Sequence, residues 1–342
     1  PLPTVAKPEK CRHSRGDMLA HSGRIPLILD KGFAMLPDKP MTGIAMMLGF
    51  CIVAPVGDAI AKLLGSSVPL GQVVFIRFAV QLLILLPLVL LTGRPLAMRG
   101  RTLWLAFVRT VLHVIGIAMM FTALKYLPLA DAVAIIFVMP FFMLLLGKYV
   151  LGEEVGTRRL LACIVGFCGT LLVVQPSFAE VGWPALLPVG VALNFALFML
   201  VTRQIAKHTD PISLQTVSGF MAVVILLPLL GLGQTVAVPA LGWRVPDANA
   251  WMLLIAIGVL GSVAHLLMTW SLRYAPSATL APMQYLEIPV ATLVGLIVFG
   301  DLPNALAALG MGITMAAGLY IILRERATQR RLAAAAIVQP AG

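Results

Sequence analysis

Among the ionisable residues inside long apolar stretches of this 342-residue chain, six stand out: Asp58, Arg77, Arg109, His113, His265 and Glu287. An ionisable group away from water is costly, so each is a candidate for function. Glu287 has the strongest claim. It lies ten residues into an apolar stretch at 277–299. At 1.5 Å per residue that is about 15 Å deep, the middle of a bilayer core about 30 Å thick. A carboxyl group there must be paired, hydrated or protonated. It precedes Pro289 by two positions in QYLEIP. Proline removes a backbone hydrogen bond and frees a carbonyl one turn back. Gln284, Tyr285 and Glu287 are therefore expected to make a polar pocket at a helix break. The structural alternative is a buried pair with Arg109 or His113.

His113 is at a similar depth in a second stretch, and Arg109 precedes it by one turn on the same face. Snorkelling to the nearer membrane surface is the alternative for Arg109. His265 is a candidate of the same kind, with simple packing as its alternative. Asp58 and Arg77 both fall toward one end of their stretches and suit a charged outer gate, although Lys62, one turn on, is another partner for Asp58. Asn194 reads either as interhelical glue or as pocket lining. Groups of both signs suit a charged or zwitterionic small molecule, and a deep carboxyl suits proton carriage.

Soluble-enzyme chemistry is missing. There is no Walker sequence, HExxH or GxSxG, and Gly310 and Gly312 sit in an apolar stretch where a dinucleotide loop does not belong. The four cysteines, at 11, 51, 163 and 168, form no CxxC pair, so no metal site, disulfide framework or cofactor is expected. A membrane-embedded enzyme with a histidine base would need a nucleophile or metal cluster beside it, and none is legible.

The elements that must hold these residues follow from composition. Apolar residues make up 60% of the chain and charged residues 11%, against about 45–50% and about 25% in a soluble domain. The lipid bilayer is the expected environment. Ten stretches are long enough to span it: 41–63, 69–91, 102–124, 128–150, 159–175, 184–203, 212–233, 250–272, 277–299 and 304–323. The fold class is thus an all-α integral membrane protein of ten transmembrane helices. Residues 1–40, rich in Pro, Lys, Arg and Gly, read as a tail, as do 326–342. The chain begins at Pro1, and Met35 or Met41 is a candidate translation start.

The ten stretches form two copies of one unit. Tyr126, Pro128, Ala130, Gly152 and Glu153 return as Tyr274, Pro276, Ala278, Gly300 and Asp301, each 148 positions later. Pro140 and Pro289 interrupt corresponding spans and are expected to break them. Each unit holds five spans, over 41–175 and 184–325, and an odd number inverts the second copy. With the N-terminus inside, the inner side carries sixteen Lys and Arg residues and the outer side only Lys62, Lys125 and Arg244. The positive-inside rule then places both termini in the cytoplasm. The excess of Lys and Arg thus marks orientation, and no nucleic-acid partner is inferred. Pro128 and Pro276 begin the fourth and ninth spans, with Ser277 as a cap for the ninth. Glu153 and Asp301 read as caps or dipole partners of the fifth and tenth. Ala162, Gly166 and Thr170, and Ala308, Gly312 and Ala316, are small-residue stripes for close helix contact. They pack within the bundle or between subunits of a homodimer.

ALKYLPLADA, a mid-span proline, LGEE and RRLLACIVGFCGTLLVV resemble the EamA-type members of the drug/metabolite transporter superfamily. SLRYAPSATLAP and FGD resemble the second EamA repeat. The resemblance covers about residues 41–325. It implies inverted five-helix repeats around a central cavity lined by helices 1, 3, 4, 6, 8 and 9. His113, Asn194, His265 and Glu287 fall on that set, and Arg77 does not. The implied function is secondary active transport of a small organic metabolite across the bacterial inner membrane. A multidrug or lipid flippase-like exporter is the alternative.

Overall fold

The computed structural model describes residues 40–338, except 140, 144, 147–156, 237 and 276–279. The expected N-terminal tail, the break at Pro140, Glu153 and the Pro276–Ser277 start lie outside the described residues. The chain forms α1 (Pro40–Leu64), α2 (Leu70–Leu91), α3 (Gly100–Ala123), α4 (Leu129–Ile136) and α5 (Thr157–Val181). It continues with α6 (Leu187–Ala206), α7 (Pro211–Thr235), α8 (Ala248–Tyr274), α9 (Glu287–Phe299) and α10 (Ala305–Val338). No strand occurs among the described residues.

Seven of the described helices are long and apolar enough to cross a membrane. Three of the ten expected spans are shorter as apolar helices: Leu129–Met143, Met283–Phe299 and Ala305–Tyr320. Each shortfall has a local cause. The regular part of α4 stops at Ile136, and Phe137 and Val138 bond back only three residues, to Ala134 and Ile135. The ninth span is divided by a 3-10 segment, Ala281–Leu286, ahead of α9. Beyond Tyr320, α10 turns polar and continues to Val338 through good helix formers, past the expected span end. Large apolar side chains such as Leu83 and Ile297, both 72% exposed, cover the outside, as lipid-facing surface requires. The protein is a multi-pass membrane protein.

Helix ends are set by specific residues. Pro128 begins α4 as expected. Asp210 and Asp247 cap α7 and α8 by accepting from the Ser213 and Ala250 amides at 3.0 and 2.7 Å. The expected role of Asp301 at α10 is filled by Asn304, which accepts from the Ala307 amide at 2.8 Å. Asp301 instead pairs with Lys62 at 3.0 Å, tying the end of α1 to the loop after α9. Gly300 closes α9 in the left-handed region, φ 70°, where a side chain would be strained.

The bundle is built from helix pairs: α1 on α8, α3 on α6, α2 on α7, α4 on α9 and α5 on α10. The pairing is unchanged when α1–α5 are exchanged with α6–α10. The α5–α10 contact depends on glycine. A Cβ on Gly169 would lie 2.6 Å from Thr314 Oγ1 and 2.8 Å from the Gly310 carbonyl. Thr314 donates across the contact to the Gly166 carbonyl at 3.3 Å. The stripe Ala162, Gly166 and Thr170 is buried, but Ala308, Gly312 and Ala316 are exposed. The buried face of α10 is Ala307, Met311, Thr314 and Ala317, displaced from the expected stripe by roughly 150° at about 100° per residue.

Gly169→Ala should therefore destabilise the purified protein by about 1–3 kcal/mol in a thermal melt, as overpacking does. Gly312→Ala, with nothing within 4 Å of its added Cβ, should stay within about 0.5 kcal/mol. Equal shifts would contradict this packing.

Candidate functional site

A cavity of about 120 Å³ lies inside the bundle. A single water needs roughly 10–15 Å³ on this scale, so the space admits several waters or a small ligand. Its wall draws on seven helices. α1 gives Phe50, Gly57 and Asp58, and α2 gives Arg77. α3 gives His113, Gly116 and Phe121, and α4 gives Val133 and Ile136. α6 gives Asn194, Phe195 and Phe198, α8 gives Gly261 and His265, and α9 gives Glu287. Helices 1, 3, 4, 6, 8 and 9 all contribute, and α2 joins them through Arg77.

Glu287 is the first residue of α9, directly after the 3-10 segment. Pro289 falls in the first turn of α9, where its missing N–H costs nothing. The irregularity therefore lies one turn before the proline, among the residues whose carbonyls it frees. Among the described residues Glu287 makes no hydrogen bond or ion pair, and Asp58 is near enough to interact with it electrostatically. The alternative, a buried pair of Glu287 with Arg109 or His113, does not form.

His113 and His265 meet at the cavity wall. Their Nε2 atoms are 3.1 Å apart and their rings 4.0 Å apart. One imidazole donates and the other accepts. Both Nδ1 atoms are buried without a described partner. Phe78 and Phe198 pack on His113, each with centroids 5.0 Å away. Phe50, Phe195 and Phe198 form a stacked rank beside them, at 6.2 and 5.8 Å.

Arg109 does not line the cavity, and it does not snorkel, being fully buried. Its guanidinium donates to Thr202, Gln215, Ser218 and Thr269 at 2.9–3.3 Å. It also stands 4.7 Å over the Phe198 ring. The donors of this buried cation are matched by neutral oxygens from α6, α7 and α8. Arg77 lines the cavity and interacts electrostatically with Asp58, but the two make no direct ion pair. Lys62 is engaged with Asp301 and not with Asp58. Asn194 is both glue and lining: its amide donates to the Leu112 carbonyl at 2.8 Å while its side chain faces the cavity.

Gln284 and Tyr285 are buried away from the cavity, in the 3-10 segment that packs against α1 and α10. Tyr285 lies 5.1 Å from the Phe137 ring and against Gly318. The aromatic rank and Gly261 escaped the sequence reading. In spans apolar on every side, a Phe facing a cavity looks like a Phe facing lipid.

Comparison with known proteins is consistent with this architecture. The profile of the EamA-like transporter family matches twice, at residues 41–175 and 182–324. A riboflavin transporter of Rhizobium johnstonii is 28% identical over 300 residues, 87% of this chain and 96% of the relative. An S-adenosylmethionine uptake transporter of Rickettsia felis is 24% identical, over 85% and 96%. The pseudopaline exporter CntI of Pseudomonas aeruginosa is 25% identical, over 84% and 96%. One solved crystal structure superposes with a TM-score of 0.60 at 16% identity, over 84% of this chain and 98% of its own.

Arg109→Gln should destabilise the protein by about 3 kcal/mol, because it strands buried oxygens from three helices. Asn194→Ala should cost about 1 kcal/mol. Thermal unfolding in detergent measures both, and a smaller loss at Arg109 than at Asn194 would contradict the cage.

Proposed function

Since the chain belongs to the EamA-like transporter family, whose members are transporters and not enzymes, we propose that it is a secondary active transporter of a small charged or zwitterionic metabolite. The observation that carries this reading is the cavity, where Asp58, Arg77, His113, His265 and Glu287 face one shared space within an apolar bundle. Polar groups at such depth serve a passenger or a proton. The proposed frame is ten helices in two inverted repeats, 41–175 and 184–325, alternating access in the bacterial inner membrane with both termini cytoplasmic. The pairwise exchange symmetry of the helix contacts supports two equivalent halves that rock about the cavity.

The relatives favour a metabolite rather than a lipid. Proteins named for riboflavin and for S-adenosylmethionine both span nearly their whole length against this chain. The cavity is furnished for such cargo, with an aromatic wall, two carboxyl groups and a guanidinium. A protein of the same plan is named as an exporter, and alternating access runs in either direction according to the gradients. Glu287 is the proposed proton carrier, being a cavity carboxyl without a described hydrogen-bond partner.

The test is a ligand screen with transport. Riboflavin, S-adenosylmethionine, amino acids, nucleosides and polyamines are offered to purified protein in detergent. A ligand at 100 times its dissociation constant should stabilise the fold by about 2.7 kcal/mol. In proteoliposomes the same ligand should be taken up, with a rate that follows an imposed pH gradient. Glu287→Gln should abolish that pH response. An unchanged response removes the proton role of Glu287. Stabilisation by lipids alone favours the flippase-like alternative.

A further inference from the structure

The two arginines buried in the bundle are held in opposite ways. Arg109 is enclosed by the oxygens of Thr202, Gln215, Ser218 and Thr269 and does not touch the cavity. Arg77 is 5% exposed, lines the cavity and makes no hydrogen bond to any described residue. Its Nη1 is fully buried without a partner. Asp58 attracts it across the cavity but stays beyond ion-pair distance. Leaving donors of a buried charged group unmatched is expensive, and Arg109 shows that this bundle can match them.

The position of Arg77 is also built. Gly261 of α8 lies against its guanidinium, where a Cβ would fall 2.6 Å from Nε and 2.7 Å from Cζ and Nη2. The Phe78 ring centroid is 5.4 Å from Cζ. A missing side chain on α8 therefore makes the room that a charged side chain on α2 occupies.

We propose that Arg77 is the residue that receives an acceptor oxygen of the ligand, a carboxylate or a neutral carbonyl, and that Gly261 is its positioning residue. This rests on the transporter reading of the cavity and narrows its substrate class. The passenger has an apolar or aromatic body that lies along Phe50, Phe195 and Phe198, with an acceptor group directed to Arg77. A guanidinium offers parallel N–H groups that suit such an oxygen pair. Because Asp58 is not bonded to Arg77, the ligand displaces no existing contact.

Three probes share a naphthalene ring: 2-naphthoate carries a carboxylate, 1,8-naphthalimide a neutral imide, and 2-naphthylmethylamine only a donor. Binding to the full-length protein in detergent is measured by calorimetry. Arg77→Gln is expected to weaken the two oxygen-bearing probes about tenfold or more and to leave the amine as tight or tighter. Gly261→Ala, which keeps Arg77 but displaces it, should weaken the same two probes. If Arg77→Gln does not fold, Arg77→Lys keeps the charge opposite Asp58, loses the fork and should lower both affinities. Equal affinity for the oxygen-bearing probes in wild type and all variants overturns the proposal. Binding of the amine alone to wild type also overturns it, while leaving the transporter cavity standing. If no probe binds wild type, this proposal falls, and the transporter reading of the cavity stands or falls by the metabolite screen.

Discussion

The structure depends on how polar groups are matched where water is scarce. Backbone groups are matched by helix, since an apolar surrounding leaves them no other partner. Side chains face the same demand, and Arg109 answers it most completely. One guanidinium on α3 collects hydroxyl and amide oxygens from α6, α7 and α8. A charge that binds three neighbours at once fixes their mutual rotation as no apolar contact can, because its loss leaves several oxygens stranded. Phe198 transmits that order to the site. Its ring lies 4.7 Å from Arg109, 5.0 Å from His113 and 5.9 Å from His265. The histidine pair thus stands on a wall that the arginine cage has set.

Matching is incomplete in several buried places, the cavity among them. Glu287 has no described hydrogen-bond partner, Arg77 makes none of its own, and both histidine Nδ1 atoms are unsatisfied. Apolar residues of similar volume would serve stability as well or better at such places. Polar groups that the fold neither needs nor satisfies are therefore understood through what passes beside them. The broken ninth span serves the same end. A continuous helix would bury the start of α9 in its own hydrogen bonds. The 3-10 segment and Pro289 end that continuity, so Glu287 begins a helix at the cavity.

Much of this frame is legible in the chain. Span positions follow from length and apolarity, and depth follows from counting 1.5 Å per residue, so Glu287 and His113 fall in one layer. Rotation about the helix axis is not legible. A soluble helix reveals its inner face by an apolar stripe, but these helices are apolar all round. Arg109 and His113 share a face by spacing, yet one is in a cage and the other at the cavity. Arg77 reads as one arm of an outer gate, on a helix outside the family's lining set, and the space left by Gly261 lets it reach the cavity. Gln284 and Tyr285 are expected at the site from their place beside the break at Pro289. The 3-10 winding of three residues per turn carries them instead toward α1 and α10. The displaced stripe on α10 has the same root: identity shows that a residue is small, and only packing shows which way it faces.

The two halves do not furnish the cavity equally, and that inequality bears on how it works. α4 and α9 are equivalent on the proposed two-copy plan, and they pack on each other. α9 brings Glu287 to the cavity, while α4 brings Val133 and Ile136. α1 brings Asp58, while α6 brings Asn194 at the end of a hydrogen bond to α3. The equivalent helices α3 and α8 are the exception, since each supplies a histidine and the two touch. Symmetric packing lets two halves exchange postures at similar energy. Asp58 and Arg77 come from the first half and Glu287 from the second, none with a charged counterpart across the symmetry, and in the proposed transporter that inequality would hold a ligand with distinct ends in one orientation. A cavity of identical walls would have the motion of a carrier without the means to choose its cargo.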